Sequence, residues 1–173
     1  MGTIPPRRFG KNDQIKGGVE ILTAKIESNF GREIMKNIDA QWTRIENRHG
    51  GGIPDLYGIR DGVSIWLELK CIKKNSINIS PLQISWNYNH FQQNGKNYYI
   101  VRDTRSKVIK LYDGDKGREL KEQGFKCPCN VELRPPYDWL FFAHAIFYFP
   151  ETEPMCYDEF DDEYDDEYNP DLD

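Results

Sequence analysis

Pro54-Asp55-Leu56-Tyr57-Gly58-Ile59, then Arg60-Asp61-Gly62, then Val63-Ser64-Ile65-Trp66-Leu67-Glu68-Leu69-Lys70 is the stretch on which the reading of the chain turns. Val63, Ile65, Leu67 and Leu69 alternate with Ser64, Trp66, Glu68 and Lys70, which is the two-residue period of a strand. Arg60-Asp61-Gly62 is a tight-turn signal, so the whole reads as a β-hairpin. Side chains alternate between faces, so Glu68 and Lys70 point the same way, opposite the apolar set. Asp55 joins them if the register brings the start of the first strand beside the end of the second. Two carboxylates and an amine then converge.

Two oxygen ligands a few ångströms apart suit a hard divalent ion such as Mg²⁺, and the backbone carbonyl of Leu69 can add a third. Such an ion lowers the pKa of a bound water and neutralises charge building on a phosphate. Lys70 is placed to hold or activate the attacking water. The competing reading is an ordinary half-exposed hairpin whose Glu and Lys are solvated. Pro-Asp opening one strand and Glu-x-Lys closing the next favours a site over that reading.

Pro54-Asp55 followed by Glu68-Leu69-Lys70 resembles the signature of the PD-(D/E)XK nucleases. Gly52-Ile53-Pro54-Asp55-Leu56, Ser80-Pro81-Leu82-Gln83, Trp86, and Gly95 before Tyr98-Tyr99-Ile100-Val101 resemble its VRR-NUC and phage Holliday-junction-resolvase-like branch, over roughly residues 17 to 112. The resemblance implies an α/β, restriction-endonuclease-like αβββαβ core with a mixed sheet, extended at its C-terminal end. It implies Mg²⁺- or Mn²⁺-dependent hydrolysis of DNA phosphodiesters, with Asp55 and Glu68 as metal ligands and Lys70 as the catalytic lysine. In nucleases of this type the first helix commonly brings an acidic residue to the metal, and Glu20 is the match, with Glu27 in reserve. A glutamine near the start of the second helix, here Gln83, lies near the metal in similar enzymes. Branched DNA is the substrate the resemblance favours, in recombination, replication or repair of phage type; symmetric cutting of two strands would take a homodimer. Linear or flap DNA, or a non-catalytic DNA-binding role, are the alternatives.

The chain has 173 residues, enough for one domain with a core and a tail. No run approaches the roughly 20 apolar residues of a membrane span, and Met1 to Lys16 lacks the apolar segment of a secretory signal, which points to the cytosol and away from membranes. Cys127-Pro128-Cys129 has one residue between thiols, too few for a zinc knuckle. Reduced, unrelated thiols are favoured over a zinc site completed by His144 or Cys156.

The formal net charge of -5 conceals a split: from Glu151 onward there are twelve acids and no Lys or Arg, leaving 16 acids against 23 bases in residues 1–150. A basic body of +7 with an acidic tail is suited to a polyanion such as DNA. Residues 1–16 read as a flexible basic arm, 17–150 as the nuclease domain and 151–173 as a disordered acidic tail. Tyr157, Phe160, Tyr164 and Tyr168 recur at helical spacing, so the tail is free to fold onto its own basic cleft or another protein, or simply to keep the chain soluble.

Gly17-Gly18 opens a first helix with a stripe of Val19, Leu22, Ile26 and Phe30, interrupted at Gly31. Ala40 to Glu46 is a first strand. Arg48 and His49, ahead of Gly50-Gly51-Gly52, are candidate DNA contacts, as are Lys73 and Lys74 beyond the hairpin. Ser80 as N-cap and Pro81 at the first helical position open a second helix. Tyr98-Tyr99-Ile100-Val101 and Val108 to Tyr112 read as further strands, and Asp115 to Gly124 as a short helix. Pro128, Pro135 and Pro136 mark an irregular stretch. The aromatic run Tyr137 to Phe149 is expected to pack over the core or a subunit interface, with His144 packed within it.

Overall fold

The hairpin forms as the alternation dictates. In the computed structural model, which describes residues 11–45 and 51–148 and side chains from residue 22 onward, strands β2 (Leu56–Arg60) and β3 (Val63–Ile72) pair antiparallel with Leu56 opposite Leu67 and Arg60 opposite Val63. Asp61 and Gly62 link them with φ of 50° and 78°. Positive φ at both central residues is the demand of a type I′ turn, which matches strand twist and which Asp-Gly meets at little cost.

Around this hairpin lie helix α1 (Lys11–Asn37), strand β1 (Gln41–Arg44), helix α2 (Pro81–Gln92), and strands β4 (Asn97–Asp103) and β5 (Ile109–Asp113). This is the αβββαβ order expected. A short helix α3 (Gly117–Gln123), strand β6 (Val131–Leu133) and helix α4 (Trp139–Tyr148) extend it. One six-stranded sheet runs β1 to β6 in chain order, antiparallel throughout except at β3–β4. That parallel pair needs a crossover, and α2 supplies it.

Strand alternation sorts the core into two clusters. Ile65, Leu67 and Leu69 of β3 join Tyr98, Ile100, Ile109 and Leu111 beneath Phe30 and Ile34 of α1, Ile38 just past its end, and Phe142, Ile146 and Phe147 of α4. Ile72, Tyr99, Val101 and Tyr112 face the other way, with Ile77, Ile79 and Leu120. The aromatic run thus packs over the core, as its composition predicts. His144 does not: it is exposed and meets the Tyr148 ring, because the buried stripe of α4 is filled by Phe142, Ala143, Ala145, Ile146 and Phe147.

Helix α1 departs from expectation in three ways. It begins at Lys11, ahead of Gly17-Gly18 and inside the segment expected to be a flexible arm. It continues through Gly31, where a Cβ would stand 3.1 Å from Leu69 Cδ1, so the glycine permits a close approach to β3 and does not end the helix. Leu22 is 50% exposed, because the stripe meets the sheet only from about Ile26 onward. Arg102 then pins the helix to β4 through two bonds to Glu33 of 2.7 and 2.8 Å, with its guanidinium 4.2 Å from the Phe30 ring centre. Strand β6 falls within the stretch expected to be irregular; three residues with Pro on either side carry too little pattern to show.

Candidate active site

β2 pairs with β3 only as far as Leu67, and the site forms on the edge of β3 beyond that point, while β4 stays paired along the other edge to Ile72. Ile45 N donates to the Asp55 carbonyl at 2.9 Å, fixing the Asp55 backbone, while Asp55 Oδ2 accepts from Leu69 N at 2.8 Å. Two residues on, Cys71 N donates to Glu27 Oε1 at 3.1 Å. A strand residue turns its N–H and C=O to the same edge. The Leu69 carbonyl therefore faces the edge on which the Asp55 and Glu27 carboxylates sit.

On the neighbouring face, Glu68 is 0% exposed, and its Oε1 accepts from Lys70 Nζ at 2.8 Å and Gln83 Nε2 at 2.5 Å. Gln83 also completes the cap of α2: its backbone N donates to Ser80 Oγ at 3.2 Å, and its Oε1 accepts from Ser80 N at 3.0 Å. This capping box holds the helix start against the carboxylate. Gly52, φ 71°, makes the fit possible, since a Cβ there would strike the Leu82 carbonyl. At this position, the glycine-rich run serves helix packing.

The electrostatics are those of acids withdrawn from water. Burial, joined by the Asp55 and Glu27 charges, pushes the Glu68 carboxyl up to about 8 against the pull of Lys70. Burial likewise raises Asp55, opposed by the Leu69 N–H, Lys70 and Arg44, and it raises Glu27, opposed by Lys70 and the Cys71 N–H. Burial alone would lower Lys70, but Glu68, Glu27 and Asp55 outweigh it and hold the amine above its ordinary value, hence charged. The Cys71 thiol is pushed up to about 12 by burial and by Glu27, which rules it out as a thiolate nucleophile near neutral pH.

A pocket of about 150 Å³ opens between α1 and the strand ends, lined among others by Glu27, Ser28, Arg44, Asp55 and Leu69. Arg44 lines the pocket and bonds Ser28 Oγ at 2.8 Å through one of its five N–H donors. Among the described residues no group of three or more His, Cys, Asp or Glu side chains is gathered closely enough to hold a metal ion. The donor set of Asp55, Glu68 and Glu27 carboxylates nevertheless fits a hard cation: Glu68 Oε2 is buried without a partner among the described residues, and the raised carboxyls would all gain from a divalent charge. Among the described residues Cys127 and Cys129 join no metal-binding group, and Cys156 lies outside those residues.

Of the residues singled out by sequence, Asp55, Glu68, Lys70, the Leu69 backbone and Gln83 come together. Glu20 lies on α1 with its side chain outside the described part, about 10 Å along the axis from Glu27 at 1.5 Å per residue. Glu27, held in reserve, is the α1 carboxylate that reaches β3. Lys73 and Lys74 are exposed just past β3, and Arg48 and His49 lie outside the described residues. Arg44 was missed. Its signal is position, at the end of the strand that pairs with the start of β2.

No protein-family model matches the chain, and no curated protein matches it. Solved structures do, among them Hjc of Archaeoglobus fulgidus, a Holliday junction resolvase from an archaeal hyperthermophile, at 15% identity and a TM-score of 0.40, covering 50% of this chain and 74% of that one. A likeness this loose brings no function with it. Among the described residues no helix is long and apolar enough to cross a membrane.

Proposed function

We propose that the protein is a metal-dependent endonuclease of the PD-(D/E)XK kind that hydrolyses phosphodiesters of branched DNA. The observation that carries this reading is the meeting of Asp55, Glu68 and the charged Lys70 where β3 extends past its pairing with β2, with Glu27 closing that edge from α1. Asp55, Glu68 and the Leu69 carbonyl, with Glu27, are the residues that would hold Mg²⁺ or Mn²⁺. When bound, such an ion supplies Lewis acidity toward the phosphate and a more acidic water.

The side chains divide the remaining work. Lys70 is a protonated donor, so it orients the attacking water by hydrogen bonding and offsets negative charge at phosphorus; it does not begin as the base. Gln83 keeps the Glu68 carboxylate turned toward the site. Arg44 is placed to meet a phosphate oxygen at the pocket, and the exposed Lys73 and Lys74 to meet the backbone beyond it. Branched DNA as the substrate, and a homodimer to cut it symmetrically, rest on the sequence resemblance and the basic body of residues 1–150.

The test is cleavage of a labelled four-way junction beside a linear duplex of equal length, in Mg²⁺, Mn²⁺ or EDTA, by wild type and Lys70→Ala. Metal-dependent cutting that favours the junction and is lost in the variant is the expected result. Equal cutting of both substrates would make it a linear or flap nuclease, and binding without cutting in any metal would leave a DNA-binding protein.

A further inference from the structure

Four rings stand on the same face of the sheet as Glu68 and belong to neither core cluster. Tyr57 pairs across the hairpin with Trp66, ring centres 4.8 Å apart. Trp66 meets Trp86 edge-on at 5.3 Å, and Trp86 stacks on His90 at 4.8 Å with 15° between planes. All four are half-buried. A Cβ at Gly95 would collide with the His90 ring, so the imidazole is held in place from behind. Burial lowers its pKa, which keeps it neutral at pH 7.

The position of the rings repeats that of the carboxylates. Trp66 precedes Glu68 by two residues and Tyr57 follows Asp55 by two, so the ring pair lies about 6.6 Å along the strands from the acid pair. On α2, Gln83 touches Glu68 and Trp86, three residues on, touches Trp66. Helix α2 makes its main contacts with β4, α3 and the turn at Gly114–Lys116, to one side of β1 and β2 in the sheet order. There Gln41, Thr43 and Ser64 are exposed on the same face. Among the described residues the result is a half-buried aromatic shelf that begins one nucleotide's reach from the carboxylates.

We infer that Tyr57, Trp66, Trp86 and His90 form a stacking platform for an unpaired nucleobase adjoining the phosphate held at Asp55 and Glu68. The inference rests on the proposed nuclease reading and sharpens its substrate: DNA whose strand at the cut carries a base free to leave the duplex stack, as at a branch point. Aromatic faces accept any base, so the platform selects unpaired structure over sequence.

The test uses the Lys70→Ala protein with Ca²⁺, so that binding is read without cutting, and a junction carrying one abasic nucleotide on either side of the target phosphate. The abasic site is expected to weaken binding about 5- to 100-fold at one of the two positions. In Lys70→Ala with Trp86→Ala, or with Tyr57→Leu where loss of Trp86 unfolds the chain, that penalty should shrink to less than about 2-fold as the lost contact is already absent. An equal penalty with and without the rings overturns the platform while DNA binding stands. No binding of any DNA overturns both readings. A dimer that becomes monomeric on Trp86→Ala, with the abasic penalty unchanged, would make the rings a subunit interface and overturn the platform.

Discussion

Leu67 and Glu68 are adjacent in β3 and both are 0% exposed, yet the fold treats them in opposite ways. Leu67 is enclosed by side chains of its own kind beneath α1 and α4. Glu68 has one oxygen shared by Lys70 and Gln83, another without a partner, and a carboxyl pushed up to about 8. Burial of an apolar side chain favours folding, whereas burial of an acid opposes it. One face of β3 therefore carries stability, and the other buries a carboxyl group with one oxygen left unpartnered among the described residues.

Substitutions on the two faces should separate chemistry from stability. The largest effect is expected from Lys70→Ala, which should lower the cleavage rate about 10³-fold in single-turnover assays. Next, Leu67→Ala should cost about 3 kcal/mol in urea unfolding, with activity per folded molecule little changed. A cost under about 1 kcal/mol would mean that the apolar face is not the source of stability.

The third prediction concerns pH. Glu68 has a folded pKa raised above its ordinary carboxylate value, so between about 4.5 and 8 the folded state holds a proton that the unfolded state has lost. The favourable contribution is present below about 4.5 and is lost as pH rises through about 8, so the metal-free protein should lose stability over this window. Glu68→Gln should flatten that slope and, near pH 8.5, stabilise the metal-free protein by about 2 kcal/mol. Thermal unfolding across pH in EDTA reads both. The smallest effect is Ser80→Ala, about 1 kcal/mol from loss of the α2 cap. A loss of cleavage beyond that due to stability would show the cap also acts through Gln83 on Glu68.

Much of this comparison was legible in the sequence. Alternation in Val63 to Lys70 fixes which side chains share a face, and Asp61-Gly62 fixes the turn and hence the register. Asp55 thereby falls beside the end of β3. Contacts made by distant segments were not legible. Glu27 bonds Cys71 across 44 residues, and nothing local to either distinguishes Glu27 from Glu20 on the same side of the helix. Gly31 held the clue, since a glycine inside a long helix marks close approach to β3, and Glu27 is one turn away. The aromatic shelf was hidden for a different reason: Tyr57, Trp66 and Trp86 read as ordinary members of two strands and a helix until the packing of α2 leaves them outside both cores.

The most direct measurement is calorimetric titration of Mn²⁺ into the metal-free protein, wild type beside Asp55→Asn. The wild type should bind Mn²⁺, and Asp55→Asn should bind at least about 10-fold more weakly, because a ligand charge at the β3 edge is gone. No binding to the wild type, or equal binding by both proteins, would contradict the assignment of the polar end of β3 as a metal-dependent nuclease site.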